Sequence, residues 1–272
     1  MGATYHAEPP PKRRPWTRDE LLVVLDFYCR TPFGKLHQHN PDIIALAALV
    51  GRTPSSVAMK GCNFASLDPQ HQRRGRSGLK GAAKADRALF EEFILPARWT
   101  DLLVEVSAAR ARLQAQAPDQ GTMVAEEQAA YFAERDTEAT REVKTRLVQR
   151  FFRDAVLGSY DNECAFCSLP NGKLLVASHI VPWAHDENRR ADPRNGLALC
   201  ALHDKAFDRG LMSVGEDFRI LVSEQLLQTK TDSELHHVAF CHIAGAEMNQ
   251  PSRFAPDSEA LAHHRQEIFI PG

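Results

Sequence analysis

Apolar positions recur at helical spacing through the first 160 residues and then give way to short apolar runs broken by turn residues. The first helix is predicted from WTRDE onward. Thr17 caps it, Glu20 reaches back to the cap amide, Trp16 staples onto Leu21, and Leu21, Leu25 and Tyr28 form the apolar face. Thr31-Pro32 ends it, because the residue before proline avoids helical geometry. A second helix, PDIIALAALV, carries Ile43, Leu46, Ala47 and Val50 on one face and closes at Gly51. Thr53 caps a third, TPSSVAMKGCNFASL, with Pro54 in its first turn. Mixed helical patterns follow around Pro96, APDQG reads as a break, and a longer helix runs from Thr137 with Val143, Leu147, Phe151, Phe152 and Val156 in its apolar stripes and Gly158 as its stop.

Beyond residue 160 the pattern changes. LLVASHIVPW is an apolar strand interrupted by Ser178 and His179, an apolar strand-like run follows Asn195, and a short helix opens at Cys200. LMSVGEDFRILVS predicts a hairpin turning at Gly215, Glu216 and Asp217. The fold class is therefore α+β, a helical amino-terminal domain followed by a smaller strand-containing one. The boundaries read as a disordered lead over 1–15, a helical DNA-binding domain over 16–95, a helical linker over 96–140, and a catalytic domain over 141–272.

Composition narrows the classes. At 43% hydrophobic and 25% charged residues the chain is ordinary globular material. No apolar run is long enough for a membrane span and the amino terminus lacks a signal-peptide core, so the expected compartment is cytoplasmic. Six cysteines, two in Cys-x-x-Cys and one in Cys-x-x-His, suit a metal in a reducing setting better than a disulfide framework. Net charge is only −2, but residues 1–80 carry twice as many Lys/Arg as Asp/Glu and the remainder reverses the balance. That layout assigns phosphate to the first part and cations to the second.

Helix, glycine turn, helix is an arrangement that seats a second helix in a DNA groove. On the third helix Val57, Gly61 and Phe64 face inward, leaving Ser56, Lys60 and Asn63, together with Arg52 before it, for phosphates or base edges. The basic, Gly-rich segment that follows adds Arg73, Arg74 and Arg76 as a phosphate-tracking arm. The WT-x-x-E opening and GRTPSSVAMKGCNF resemble Myb/SANT-like helix-turn-helix folds over the first three helices. The blander readings are a helical packing or dimerisation module and a soluble linker.

Cys164 and Cys167, then Cys200 and His203, are two x-x-spaced donor pairs that suit tetrahedral structural zinc. The alternative is a redox pair beside a buried core thiol. Between and just after the pairs stand His179, Asn195, Asp204 and Asp208, the set a one-metal phosphodiesterase needs: an imidazole to take a proton from water, an amide to hold its surroundings, and carboxylates for a divalent ion. His236, His237, Cys241 and His242 fit no standard site and read as ordinary packing.

HIVPW, NGLAL and AFDRG, with the lead-in FFRDAVLGSY, resemble the HNH (ββα-metal) endonucleases over about residues 145–225, in particular a prokaryotic branch of restriction nucleases. The resemblance implies a zinc-stapled ββα-metal domain with His179 as general base and Asn195 as orienting residue. It puts the third motif position on Asp204, with His203 on zinc. Two alternatives stay open: His203 binds the catalytic ion and the zinc site is incomplete, or Asp208 is the main ligand. Ser178 stands where other members often have an Asp ligand. The implied cofactors are structural Zn²⁺ and catalytic Mg²⁺ or Mn²⁺, the partner is double-stranded DNA, and the product carries a 5′-phosphate. Restriction of foreign, including modified, DNA and a homodimer are expectations by analogy. The rival is a non-catalytic, zinc-containing DNA-binding regulator on the same scaffold.

Overall fold

The computed structural model describes residues 14–73, 82–116 and 138–272. Helix α1 (Arg18–Arg30) opens with the expected capping box between Thr17 and Glu20. It is buried almost all round, with Leu21 to Leu25, Tyr28 and Cys29 nearly free of solvent contact, which makes it the central helix of its core. Around it lie α2 (Pro41–Val50), α3 (Pro54–Leu67), a short α4 (Pro69–Arg73), α5 (Lys84–Leu89) running into a π-helical turn at Phe90–Ile94, and α6 (Trp99–Gln116). Trp99, Leu102, Leu103, Val106 and Ala109 of α6 belong to the same core as α1. Residues 99–113 are thus part of the helical body, where the sequence pattern suggested a linker.

The third helix does not offer the expected reading face. Lys60 is buried, its ammonium 2.9 Å from both carboxylate oxygens of the fully buried Asp86 on α5, and 5.2 Å from the centre of the Trp16 ring. Asn63, also buried, donates to the same carboxylate at 3.5 Å. Arg52 lies over Trp16 at 4.0 Å and pairs with the buried Glu20, which also takes Arg14. These cations neutralise carboxylates that would otherwise be stranded in the core. Ser56 stays partly exposed, but the surface planned around Arg52, Lys60 and Asn63 is folded inward. Of the basic arm, Arg73 ends α4 and Arg74 and Arg76 lie outside the described residues.

Helix α7 (Glu138–Ser159) joins this body to a second core. Phe151 and Ala155 sit in the first core, while Phe152, Val156 and Leu157 sit in the second. Gly158 does not stop the helix. It lies in the last turn where α7 meets α1, and an added Cβ would come within 2.6 Å of the Arg30 carbonyl and 2.9 Å of the Arg253 guanidinium. The second core holds the antiparallel pair β1 (Leu175–His179) and β2 (Gly196–Cys200), α8 (Ala201–Asp208), and the predicted hairpin as β3 (Met212–Val214) and β4 (Ile220–Val222). Short helices α9 (Glu224–Leu227), α10 (Glu234–His236) and α11 (Ser258–His263) complete it.

The carboxy-terminal segment returns to the helical body. Arg253 is fully buried with its guanidinium 5.1 Å from the Tyr28 ring centre, and Phe254 packs edge-on against Trp99 at 5.1 Å. Among the described residues no single helix is long and apolar enough to cross a membrane.

Because Lys60 answers a buried carboxylate, Lys60→Ala should lower unfolding free energy by about 3–5 kcal/mol, the usual cost of leaving half of a buried pair. Urea denaturation measures this. A gel shift on the folded fraction should show unchanged affinity for DNA, whereas a groove-reading lysine would give the opposite pair of results.

Candidate functional site

Four donors from three places in the chain converge. Cys164 and Cys167 lie on the turn after α7, Cys200 ends β2, and His203 is in the first turn of α8. The Cys164 amide donates to the Leu169 carbonyl and the Ser168 amide to the Cys164 carbonyl, which folds the turn back on itself. The four ligand atoms all lie within 4.8 Å of one another, with His203 Nδ1 3.3 Å from Cys200 Sγ and 3.5 Å from Cys164 Sγ. A tetrahedron with zinc–sulfur bonds of about 2.3 Å has edges of roughly 3.7 Å, so this donor set fits zinc with little movement.

The protonation pattern agrees. Hydrogen bonds from Cys164 and Cys167 push the Cys200 thiol far below its ordinary value, while Cys164 and Cys200 push Cys167 up. Burial alone would lower His203, but the two sulfurs outweigh it and hold the imidazole up to about 10. Four donors are competing for charge at a point where a cation satisfies them all. His203 Nε2 donates to the Ala239 carbonyl at 2.9 Å, so both ring nitrogens are engaged inside the protein. That geometry leaves His203 with the cysteines and Asp204 turned away from them.

Asp204 and Asp208, one helical turn apart on α8, line an open cleft of about 530 Å³ with Ser178 and His179 of β1. Trp183, Lys205 and Arg209 also line it. Loss of water in the cleft raises the Asp204 carboxyl above its usual range. Asp208 adds to the rise, while Ser178 and Lys205 pull the other way. Asp208 is raised too, by burial first, against the pull of Lys205 and Arg209. The buried Ser178 hydroxyl leans toward Asp204 without completing a hydrogen bond of ordinary geometry. Two carboxylates raised by burial thus share the cleft with a hydroxyl that completes no hydrogen bond.

His179 ends β1 opposite Gly196. Its Nε2 lies 3.3 Å from the Arg190 carbonyl and donates to it, which leaves Nδ1 as the basic nitrogen. Phe152 stacks on the ring at 3.7 Å and 9°, and Trp183 meets its edge at 5.6 Å. Burial lowers the imidazole below its usual 6.5, and the Arg190 carbonyl only partly offsets this.

The hydrogen bonds of the Asn195 side chain go to the 180–195 loop and not to the His179 ring. Asn195 Oδ1 accepts from the Val181 amide at 2.8 Å, and its Nδ2 donates to the Val181 carbonyl at 3.1 Å and the Arg189 carbonyl at 3.4 Å. The amide thereby closes the neck of the 180–195 loop, whose Arg190 carbonyl holds His179. The sequence pattern passed over Lys205 and Arg209, although each stands one residue after a named aspartate on an exposed helix face.

Residues 164–215 match the family model of the HNH endonucleases. The matched span encloses all four zinc-type donors, His179, Asn195, Asp204 and Asp208. No curated protein matches the chain. The chain thus carries an HNH endonuclease domain, which points to metal-dependent nuclease activity. The helical body lies outside the match.

Cys164 is fully buried and also accepts the Cys200 amide, so Cys164→Ser should remove stoichiometric zinc and lower the midpoint of thermal unfolding. Metal analysis of the purified variant decides it, since normal zinc content would reject the staple.

Proposed function

We propose that the chain is a metal-dependent endonuclease that hydrolyses DNA phosphodiester bonds in the cleft between β1 and α8, and that it acts on foreign DNA. The observation that carries this reading is the meeting of His179, Asp204 and Asp208 on one open cleft, with the imidazole held by Nε2. The restriction role rests on the HIVPW, NGLAL and AFDRG resemblance alone.

With Nε2–H engaged by Arg190, Nδ1 of the neutral ring takes the proton from the attacking water. The new bond forms at phosphorus, the bond to the 3′-oxygen breaks, that oxygen takes a proton from solvent water to become the 3′-hydroxyl, and the product keeps a 5′-phosphate. Lys205 and Arg209 supply positive charge to the phosphate from the α8 side of the cleft. Asp204 and Asp208, with the Ser178 hydroxyl between strand and helix, would hold Mg²⁺ or Mn²⁺. The chemistry supplied there when the ion is bound would be stabilisation of negative charge developing on the phosphate. Asn195 acts at one remove by keeping the 180–195 loop closed on His179. One cleft nicks one strand, and cutting both at a symmetric site calls for a second copy of the chain.

The test is cleavage of unmodified plasmid and of phage DNA with modified cytosines, each with Mg²⁺, Mn²⁺ or EDTA. His179→Ala should reduce cutting by about 10²- to 10⁴-fold while leaving DNA affinity nearly intact. Cutting at the wild-type rate would remove His179 as base.

The pH dependence has a definite sign. The base works unprotonated and burial holds its pKa below 6.5, so the rate should be level from neutral pH upward and fall only as pH drops through a midpoint below 6.5. A midpoint above 6.5 would contradict the buried, neutral imidazole.

A further inference from the structure

Of the groups that hold the His179 ring, Phe152 and the Arg190 carbonyl each adjoin a residue buried in the helical core. Phe152 covers one face of the imidazole, with centroids 3.7 Å apart and planes within 9°. Its neighbour Phe151 is fully buried in the first core, 5.7 Å from Trp99 and under the Arg30 guanidinium at 4.9 Å. The Arg190 carbonyl takes Nε2, and its neighbour Ala191 is buried in that same core. The edge of the Phe152 ring is closely packed as well. A Cβ on Gly196, the strand partner of His179, would come within 2.8 Å of Phe152 Cζ and 2.4 Å of Val156 Cγ2.

We propose that Phe152 is a positioning residue for His179, and that through Phe151 and Ala191 the helical body serves as the rigid base on which the catalytic imidazole is mounted. The proposal rests on the endonuclease reading for the word catalytic, and the stacking itself stands without it. It assigns the helical body a task other than reading DNA, in keeping with the inward commitment of Lys60, Asn63 and Arg52.

The physical basis is selective. An aromatic face sets the tilt and in-plane position of the imidazole, whereas the Nε2 bond sets its rotation. Removing the face while keeping apolar volume leaves the ring held by the Nε2 bond and the Trp183 edge contact alone. Misplacement of a base by about 1 Å costs on the order of 10²-fold in rate without weakening remote substrate contacts. Because α7 is continuous across residues 151 and 152, loosening Phe151 in the first core tilts Phe152 in the second.

The test uses the full chain loaded with zinc and compares Phe152→Leu, Phe152→Met and Phe151→Leu with wild type. Both Phe152 variants should lower kcat by about 10- to 100-fold at unchanged KM and unchanged zinc content, and Phe151→Leu, remote from the cleft, should lower kcat in the same direction by less. The second readout is independent of cleavage. In the wild-type protein the His179 carbon-bound ring protons should resonate upfield through the Phe152 ring current, and the shift should vanish in Phe152→Leu and Phe152→Met. Unchanged kcat together with unmoved His179 resonances would overturn the proposal. A wild type that cuts no DNA but shows the shifted resonances, lost on substitution, would sink the endonuclease reading and keep the mounting.

Discussion

The Cys164, Cys167, Cys200 and His203 cluster is the constraint on which the active-site geometry depends. The sheet it serves has only two strands of five residues, too little hydrogen bonding and buried area to hold a helix at a fixed angle. The cluster ties the turn after α7 to the end of β2 and to the first turn of α8. With His203 committed inward, the helical period turns Asp204 and, one turn later, Asp208 toward β1, where Ser178 and His179 wait. Remove the tie and α8 can roll, carrying the carboxylates away from the imidazole while every local element survives.

A second constraint acts from the other side. The imidazole is clamped between Phe152, Trp183 and the Arg190 carbonyl, and those supports lead back to the helical body by α7, by Ala191 and by the 252–257 segment. In that segment the Ser252 amide and hydroxyl both bond the Ser159 carbonyl. Phe254 enters the first core, and Asp257 then donates its amide to the Arg194 carbonyl and pairs with Arg189 at 3.3 Å. The zinc-type cluster therefore ties down the helix that carries Asp204 and Asp208, and contacts that lead back to the helical body hold the His179 ring. The relative placement of imidazole and carboxylates depends on both.

Much of this was legible in the chain because its causes are local. Thr17 with Glu20, Thr53 with Pro54, the Gly215–Asp217 turn and the two x-x-spaced donor pairs each act within a few residues, and each folds as its chemistry requires. What was not legible depends on partners far along the sequence. Lys60 reads as a free cation until Asp86, 26 residues later, is folded beneath it. Gly158 reads as a helix stop until the Arg30 carbonyl is brought against it, and Phe152 reads as one more apolar stripe residue until His179 is laid on its face. An Arg/Lys count cannot separate a cation that meets phosphate from one that neutralises a core carboxylate, because both obey the same electrostatics.

That distinction bears on how the cleft receives its substrate. On α8 the acids at 204 and 208 form one row, and Lys205, with Arg209 at the C-cap, stands beside it. A phosphate approaching from the basic row meets favourable charge at once. To reach His179 it must also come close to two carboxylates whose protonation is already favoured by loss of water in the cleft and, at Asp204, by the charge of Asp208. Those carboxylates repel the phosphate when ionised and cannot hold a cation when protonated. On the endonuclease reading proposed above, such an arrangement is productive only with a cation between acid row and phosphate, while the basic row alone would support binding without hydrolysis. That reading makes binding and hydrolysis separable on neighbouring residues at one end of α8.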